Sequence, residues 1–384
     1  MRGYFLAFLL FALVPAELFG SPATENKMQF WANSKMGANS FRAEPITRED
    51  LIAAKGYGIE FLRLAFDKFP SNERDFLIGD ADDYKCLCSA DLQRIKEMLR
   101  LCEEENMPVI ITMLSLPGSR WAQNNGGTDD LRLWQNTAFQ EQAAKFWTDL
   151  AVQLRDCPIL VGYNILNEPH PERVHDKRST HVESLNQKEM QKQLFVFNQL
   201  IINAIRRVDE STPIIIDSSA YADPGPFGEL VPMDDGNVLY AFHMFEPYEY
   251  TNHKYNTGKY VYPGWVRRKY WDKKALKIYM DPVRQFQKRH RIPSHRILVE
   301  EFGGYRRQKG LPKYFKDLRS IFAENGWHSA FYAFRDDWDG MDYELGDQRL
   351  PWEYWKAEEC GEKYPLERRG DTPQFSALIE NVEL

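Results

Sequence analysis

Two short motifs, Asn167-Glu168-Pro169 and Glu301-Phe302-Gly303, carry the residue types best suited to chemistry in this chain. Each closes a run of aliphatic and β-branched residues: Ile159 to Leu166 before the first, and Arg296 to Glu300 before the second. A carboxylate at the C-terminal end of a buried strand sits where a barrel enzyme keeps its reactive groups. Two of them satisfy the requirement for cleaving a glycosidic bond, one as acid and one as nucleophile. Either glutamate alone would pass as an ordinary surface charge at a strand end. The pair, each with its own flanking pattern, does not. Glu300 competes with Glu301 on composition; strand alternation sends the two to opposite faces, and the motif favours Glu301.

Placing both carboxylates at one end of a molecule requires parallel strands. Candidate strands fall at 35–39, 61–65, 108–113, 160–165, 213–217, 238–243, 296–301 and 329–334, with helix-period stretches between them. Eight is the number a closed (β/α)8 TIM barrel needs. Thr47-Arg48-Glu49-Asp50 reads as a capping box. Ser89 is placed to cap a helix over 90–105, and Thr137 with Gln140 one over 139–155. Residues 189–208 keep helical spacing, and Pro282 should kink or split the segment 272–290. Long loops at 115–128, 169–186, 246–271 and 336–351 all leave the C-terminal ends of strands, where long loops usually serve function. No internal repeat or linker suggests a second domain, so residues 24–384 are read as one barrel.

These motifs make the chain similar to glycoside hydrolase family 5, the large cellulase family, from Gly37-Ala38-Asn39 to the last strand. The resemblance implies a retaining enzyme with Glu168 as acid/base and Glu301 as nucleophile. It also implies that Arg63 holds the nucleophile ionised, Asn167 donates to the sugar 2-hydroxyl, and His243 completes the site. An aromatic floor for the sugar is expected on the last strand segment, where Phe334 or Trp338 fits. Two positions depart from the family pattern. Leu114 stands where a histidine is frequent, and Phe245 replaces the tyrosine of a His-x-Tyr motif; Tyr248 or Tyr250 is near enough in sequence to substitute. The resemblance implies no cofactor, and β-1,4-glucan cut internally is the expected substrate. β-Mannan, β-1,3-glucan, a glycolipid, or a non-catalytic carbohydrate-binding barrel are the alternatives. An aldolase-type barrel would want a strand-end lysine or a phosphate-binding loop, and neither is evident.

The remaining features bound the setting. Arg2, the apolar stretch from Tyr4 to Val14 and the small residues Gly20, Ser21 and Ala23 form an export signal over 1–23. A secreted or periplasmic location follows, with no stable membrane insertion and a monomer expected. The net charge of −7 argues against nucleic acid as a partner, and the resemblance implies a polysaccharide or oligosaccharide. Trp121 is a candidate sugar-stacking platform. His170, His175 and His181 lack metal-ligand spacing and read as solvent-facing or rim residues. Metal is not expected: Cys86-Leu87-Cys88 has no second pair at zinc spacing, and the acidic run ending at Gly340 fails the calcium-loop pattern at Arg335 and Gly346. The basic cluster of Arg267, Arg268, Lys269, Lys273 and Lys274 reads as a solvated rim. Among the five cysteines, Cys102 is placed to bridge to Cys86 or Cys88.

Overall fold

The structure is a computed structural model that describes residues 27–174, 187–362 and 364–380. The expected export signal and the histidines at 175 and 181 lie outside them. Eight parallel strands close a barrel: β1 (Met36–Ser40), β2 (Phe61–Leu64), β3 (Val109–Thr112), β4 (Leu160–Asn164), β5 (Ile214–Asp217), β6 (Val238–Met244), β9 (Ile297–Phe302) and β10 (His328–Tyr332). A two-stranded antiparallel hairpin, β7 (Gly264–Val266) and β8 (Lys269–Trp271), grows from the loop after β6. Every barrel strand falls where the aliphatic runs place it, with ends displaced by at most two residues. β1 pairs with both β2 and β10, which closes the ring and leaves no open edge. Among the described residues no helix is long and apolar enough to cross a membrane.

The barrel separates two apolar regions. Inside, Phe61, Ile110, Val161, Ile215, Leu239, Leu298 and Ala330 fill the lower end, and Trp31 plugs the floor from a 3-10 segment at Lys27–Ala32. The Trp31 indole N–H donates to the carbonyl of Val161 at 2.9 Å, so this large ring is buried without an unmet donor. Outside, helices such as Thr137–Leu154 and Leu311–Asn325 press Phe146, Trp147, Phe315 and Phe322 against the strands.

Local signals were honoured unevenly. Thr47 and Asp50 form the expected capping box on the helix Arg48–Gly56. The next helix, Ser89–Glu104, starts one residue early: Cys88 is its N-cap, without a side-chain cap, and Ser89 is already helical. Asn136, rather than Thr137, caps Thr137–Leu154, its side chain accepting from the Ala138 N–H. Both corrections are the one-residue shifts to which helix ends are prone. Pro282 divides its segment into Lys273–Tyr279 and Asp281–His290. The proposed disulfide is absent; all five cysteines are free thiols. Cys88 and Cys102 stand at opposite ends of one helix, about 21 Å apart at 1.5 Å per residue, far beyond the reach of a disulfide.

The rim contains one long loop that periodicity did not reveal, residues 65–88 after β2. It is stitched to the loop after β3 by Arg120, whose buried guanidinium contacts Asp75, Asp82, Asp80 and Asp130 at 2.7, 2.9, 3.1 and 3.5 Å. The turn that starts the second loop needs Gly118: its φ is +76°, and a Cβ there would lie 2.5 Å from the Phe139 ring.

Candidate active site

Each barrel strand that contributes to the site ends an aliphatic run with a polar residue. Asn39 lies on β1, Arg63 on β2, Thr112 on β3, Asn164 on β4, Asp217 on β5, His243 on β6, and Glu300 and Glu301 on β9. All of these are buried, and all lie toward the C-terminal ends of the strands. Asn167 and Glu168 follow β4 directly. The five residues singled out as a site in the sequence, Arg63, Asn167, Glu168, His243 and Glu301, are thus brought together.

Arg63 is the hub. Its Nη1 donates to Glu301 Oε1 at 2.7 Å and to Asn39 Oδ1 at 3.0 Å, and Nη2 donates to Asn167, Asn164 and Thr112 at 2.6, 2.9 and 3.1 Å. Nε lies 2.9 Å from Glu300 Oε1, and the guanidinium rests over the Phe41 ring at 5.1 Å. The planar fork of arginine serves these directions together, which a lysine cannot. His243 sits between the carboxylates. Its Nδ1 is 2.9 Å from Glu168 Oε1 and 3.7 Å from Glu301 Oε2. One oxygen of Glu168, one of Glu301 and the imidazole nitrogen all lie within 4.8 Å of one another.

Glu168 occupies the left-handed region, with φ at +51°, a conformation costing about 1–3 kcal/mol that persists only where surroundings enforce it. Here they do: its N–H donates to Asp217 Oδ2 at 2.9 Å, and its carbonyl faces His170 Nδ1 at 2.7 Å. Of the two readings of its loop position, solvent-facing or rim, the first therefore does not hold for His170. It is buried and stacked on Tyr221 at 4.6 Å.

Strand alternation fails at Glu300. Against both neighbours β9 carries one extra residue: Phe242 and His243 pair with Val299 and Glu301, while Ser329 and Phe331 pair with Val299 and Phe302. This bulge lets two consecutive glutamates turn into the barrel. Glu301 faces Glu168, and Glu300 lies fully buried beside Arg63 Nε and His243 Nε2.

The electrostatics follow from burial and these contacts. Burial lifts the Glu301 carboxyl above the ordinary range, with Glu168 adding to the effect, against the pull of His243 and Arg63. Burial also opposes ionisation of Glu300, but Arg63 and His243 outweigh it and hold that carboxyl low. Burial alone would depress His243, yet Glu301, Glu168 and Glu300 raise it well above the usual imidazole value. The carboxylate and histidine groupings resemble ligand sets on paper, but Arg63 already places a positive charge at 2.7 and 2.9 Å from Glu301 and Glu300.

A family model described as Cellulase (glycosyl hydrolase family 5) matches residues 20–337. The chain belongs to glycosyl hydrolase family 5. It is 26% identical over 212 residues to Endoglucanase C of Acetivibrio thermocellus, covering 54% of this chain and 53% of that protein. It is 24% identical over 203 residues to a β-xylosidase of Phanerodontia chrysosporium, covering 52% and 37%. The chain thus spans about half the length or less of these curated relatives. Among solved structures, Thermotoga maritima Cel5A in complex with mannotriose superposes with a TM-score of 0.62 at 17% identity, covering 92% of this chain and 100% of that one. A protein described only as a glycoside hydrolase gives 0.65 at 19%, covering 90% and 99%. These two likenesses establish the shared barrel.

Within this family 5 barrel the aromatic surroundings differ from the sequence reading. Phe334 is not a floor: it is 1% exposed and packs edge-on against Tyr57. Strand β10 ends at Tyr332, two residues earlier than expected, and the apolar pattern beyond it belongs to the core. Tyr332 is the ring that faces the site. It stands edge-on to Phe41 at 5.6 Å, and burial raises its phenol, with the Asp336 carboxylate and then Glu301 and Glu168 adding to the effect. Trp338 lies out on the rim beside His253, 5.2 Å between rings. Trp121 forms a half-exposed wall with His170 and Tyr221, at 5.2 and 6.0 Å. Leu114 joins Phe41 and Ala65 in a small apolar cluster against which Trp121 and Tyr332 pack. The two candidates for the missing tyrosine point elsewhere. Tyr250 is fully buried and donates to the Lys309 carbonyl, and the Tyr248 hydroxyl accepts from Asn252. Phe245 is half-buried against the ring edge of His243, so Arg63 and His243 carry the stabilisation of Glu301.

Proposed function

We propose that this protein is a retaining, endo-acting β-glycosidase that hydrolyses β-1,4-glucan outside the cytoplasm. The observation that carries this reading is the Glu168–His243–Glu301 grouping, with carboxylate oxygens within 4.8 Å of each other. Retaining enzymes hold their carboxyl groups about 5–5.5 Å apart, whereas inverting ones leave about 6.5–9.5 Å for a water between them. In the first step Glu301 attacks the anomeric carbon as the bond to the leaving oxygen breaks, and Glu168 gives that oxygen its proton. In the second step Glu168 takes a proton from water, whose oxygen displaces Glu301 and restores the free enzyme. Arg63 keeps Glu301 ionised before attack, and the Trp121 wall and the Tyr332 ring supply apolar surface for sugar faces. The similarity to Endoglucanase C supports glucan as the substrate.

A reducing-sugar assay of the protein on carboxymethyl cellulose, mixed-linkage β-glucan, β-mannan and xylan tests this. The highest rate is expected on a β-1,4-linked glucan, with internal cuts lowering viscosity early. A higher rate on mannan would replace the substrate, and inactivity on every polymer and on aryl glycosides would overturn the enzymatic reading. Export is tested by sequencing the N-terminus of protein recovered outside the cytoplasm. It is expected to begin near Ser21 or Thr24, and an intact Met1 would refute processing.

A further inference from the structure

Beneath the carboxylate pair lies a second one that the chemistry above does not use. Asp217 and Glu300 are both buried, and an oxygen of each, with a nitrogen of His243, lies within 4.8 Å of the others. His243 Nε2 is 3.9 Å from Asp217 Oδ2 and 3.9 Å from Glu300 Oε2. Both oxygens of Asp217 are engaged: Oδ2 accepts the Glu168 backbone N–H and Oδ1 accepts from Asn164 Nδ2, each at 2.9 Å. Glu300 is different. Neither of its oxygens receives an aligned hydrogen bond from a nitrogen donor, despite complete burial. Arg63 Nε at 2.9 Å meets its charge, yet both oxygens still lack an aligned donor, and a proton on the neighbouring Asp217 would supply one.

The charge count points the same way. The ionisable groups facing this cluster are Arg63 from β2, Glu168 beyond β4, Asp217 from β5, His243 from β6, and Glu300 and Glu301 from β9. Four carboxyls therefore meet two bases. With one proton on the lower pair, that pair carries a single negative charge beside the Arg63 and His243 cations. Burial and the adjacent Glu300 push Asp217 up to about 8, which agrees with that count.

We propose that Asp217 and Glu300 hold one proton between them and that, through the Glu168 N–H and His243, they are positioning residues for Glu168. The inference rests on the acid/base role given to Glu168 above. Loss of the shared proton on the alkaline side adds a negative charge beneath Glu168 and should contribute an alkaline limb to the pH–rate profile.

The experiment compares Asp217→Ala, Glu300→Gln and Glu168→Ala on aryl β-glycosides with good and poor leaving groups. Asp217→Ala is expected to lose about 10²-fold in kcat/KM on poor leaving groups, the scale of a misplaced catalytic group, and much less on dinitrophenyl glycosides, which depart without a proton. Glu300→Gln replaces the shared proton with a permanent N–H at unchanged charge. It should retain more activity than Asp217→Ala and flatten the alkaline limb. An equal loss across leaving groups in Asp217→Ala, or an unaltered alkaline limb in Glu300→Gln, would overturn the proposal. Glu168→Ala separates the two levels: if it shows no leaving-group dependence, the role of Glu168 itself is wrong.

Discussion

Glu301→Gln is expected to lose at least about 10⁴-fold in turnover, the scale seen when a nucleophile is removed, while oligosaccharide binding stays near that of the wild type. The amide keeps the shape and one oxygen acceptor, so ground-state contacts largely survive, and what disappears is a group used in the transition state. Its partners make this a clean probe. Arg63 Nη1, 2.7 Å from Oε1, can still donate to an amide oxygen. Calorimetric titration with a glucan oligosaccharide should therefore give a dissociation constant within a few-fold of wild type. NMR of the first product should show the β anomer in the active enzyme, because two displacements restore the configuration. An α product, or a Glu301→Gln protein of near-normal rate, would reverse the assignment of roles.

Arg63→Ala is expected to be the most damaging single change, in stability as well as activity. It strips the counter-charge from two buried carboxylates, Glu300 at 2.9 Å and Glu301 at 2.7 Å. Breaking a buried ion pair from one side costs about 3–5 kcal/mol, a large part of the stability of an ordinary domain. Denaturant melts at pH 7 would register that loss. Arg63→Lys should recover part of it, because charge returns without the fork that reaches Asn39, Asn164 and Asn167 together. The pH sign is fixed as well. In the proposed nucleophile role Glu301 must be ionised to attack, and burial already holds its carboxyl above the ordinary range against the pull of His243 and Arg63. The acid limb of wild-type kcat/KM should thus lie above the normal glutamate value of about 4.3, and any residual activity of the lysine variant should show it at higher pH. A limb at lower pH in that variant would contradict the role given to Arg63.

The barrel was legible because eight aliphatic runs stand apart from amphipathic stretches, and the site because two of those runs end in glutamate motifs. Several partners carried the same signal and went unread. Asn39, Thr112, Asn164 and Asp217 are each a polar residue at or near the end of an otherwise apolar strand, a pattern that a buried hydrogen-bonded cluster requires. Other features depend on tertiary geometry that no local pattern encodes. The β9 bulge overrides alternation only through pairing with β6 and β10, so Glu300 looked outward in sequence and faces inward in the fold. Tyr332 was missed because the apolar run continues past the true strand end into the core. The loop after β2 was hidden because its order comes from Arg120, more than thirty residues further along the chain.

The Trp31 plug sets where this molecule can be held without loss of access. Lys27–Ala32 lies at the floor of the barrel, while the reactive groups stand at the opposite ends of the strands. A five-residue strand alone separates the two by about 16 Å. A bead, surface or fusion partner attached at Lys27 would therefore leave the reactive end of the barrel turned outward.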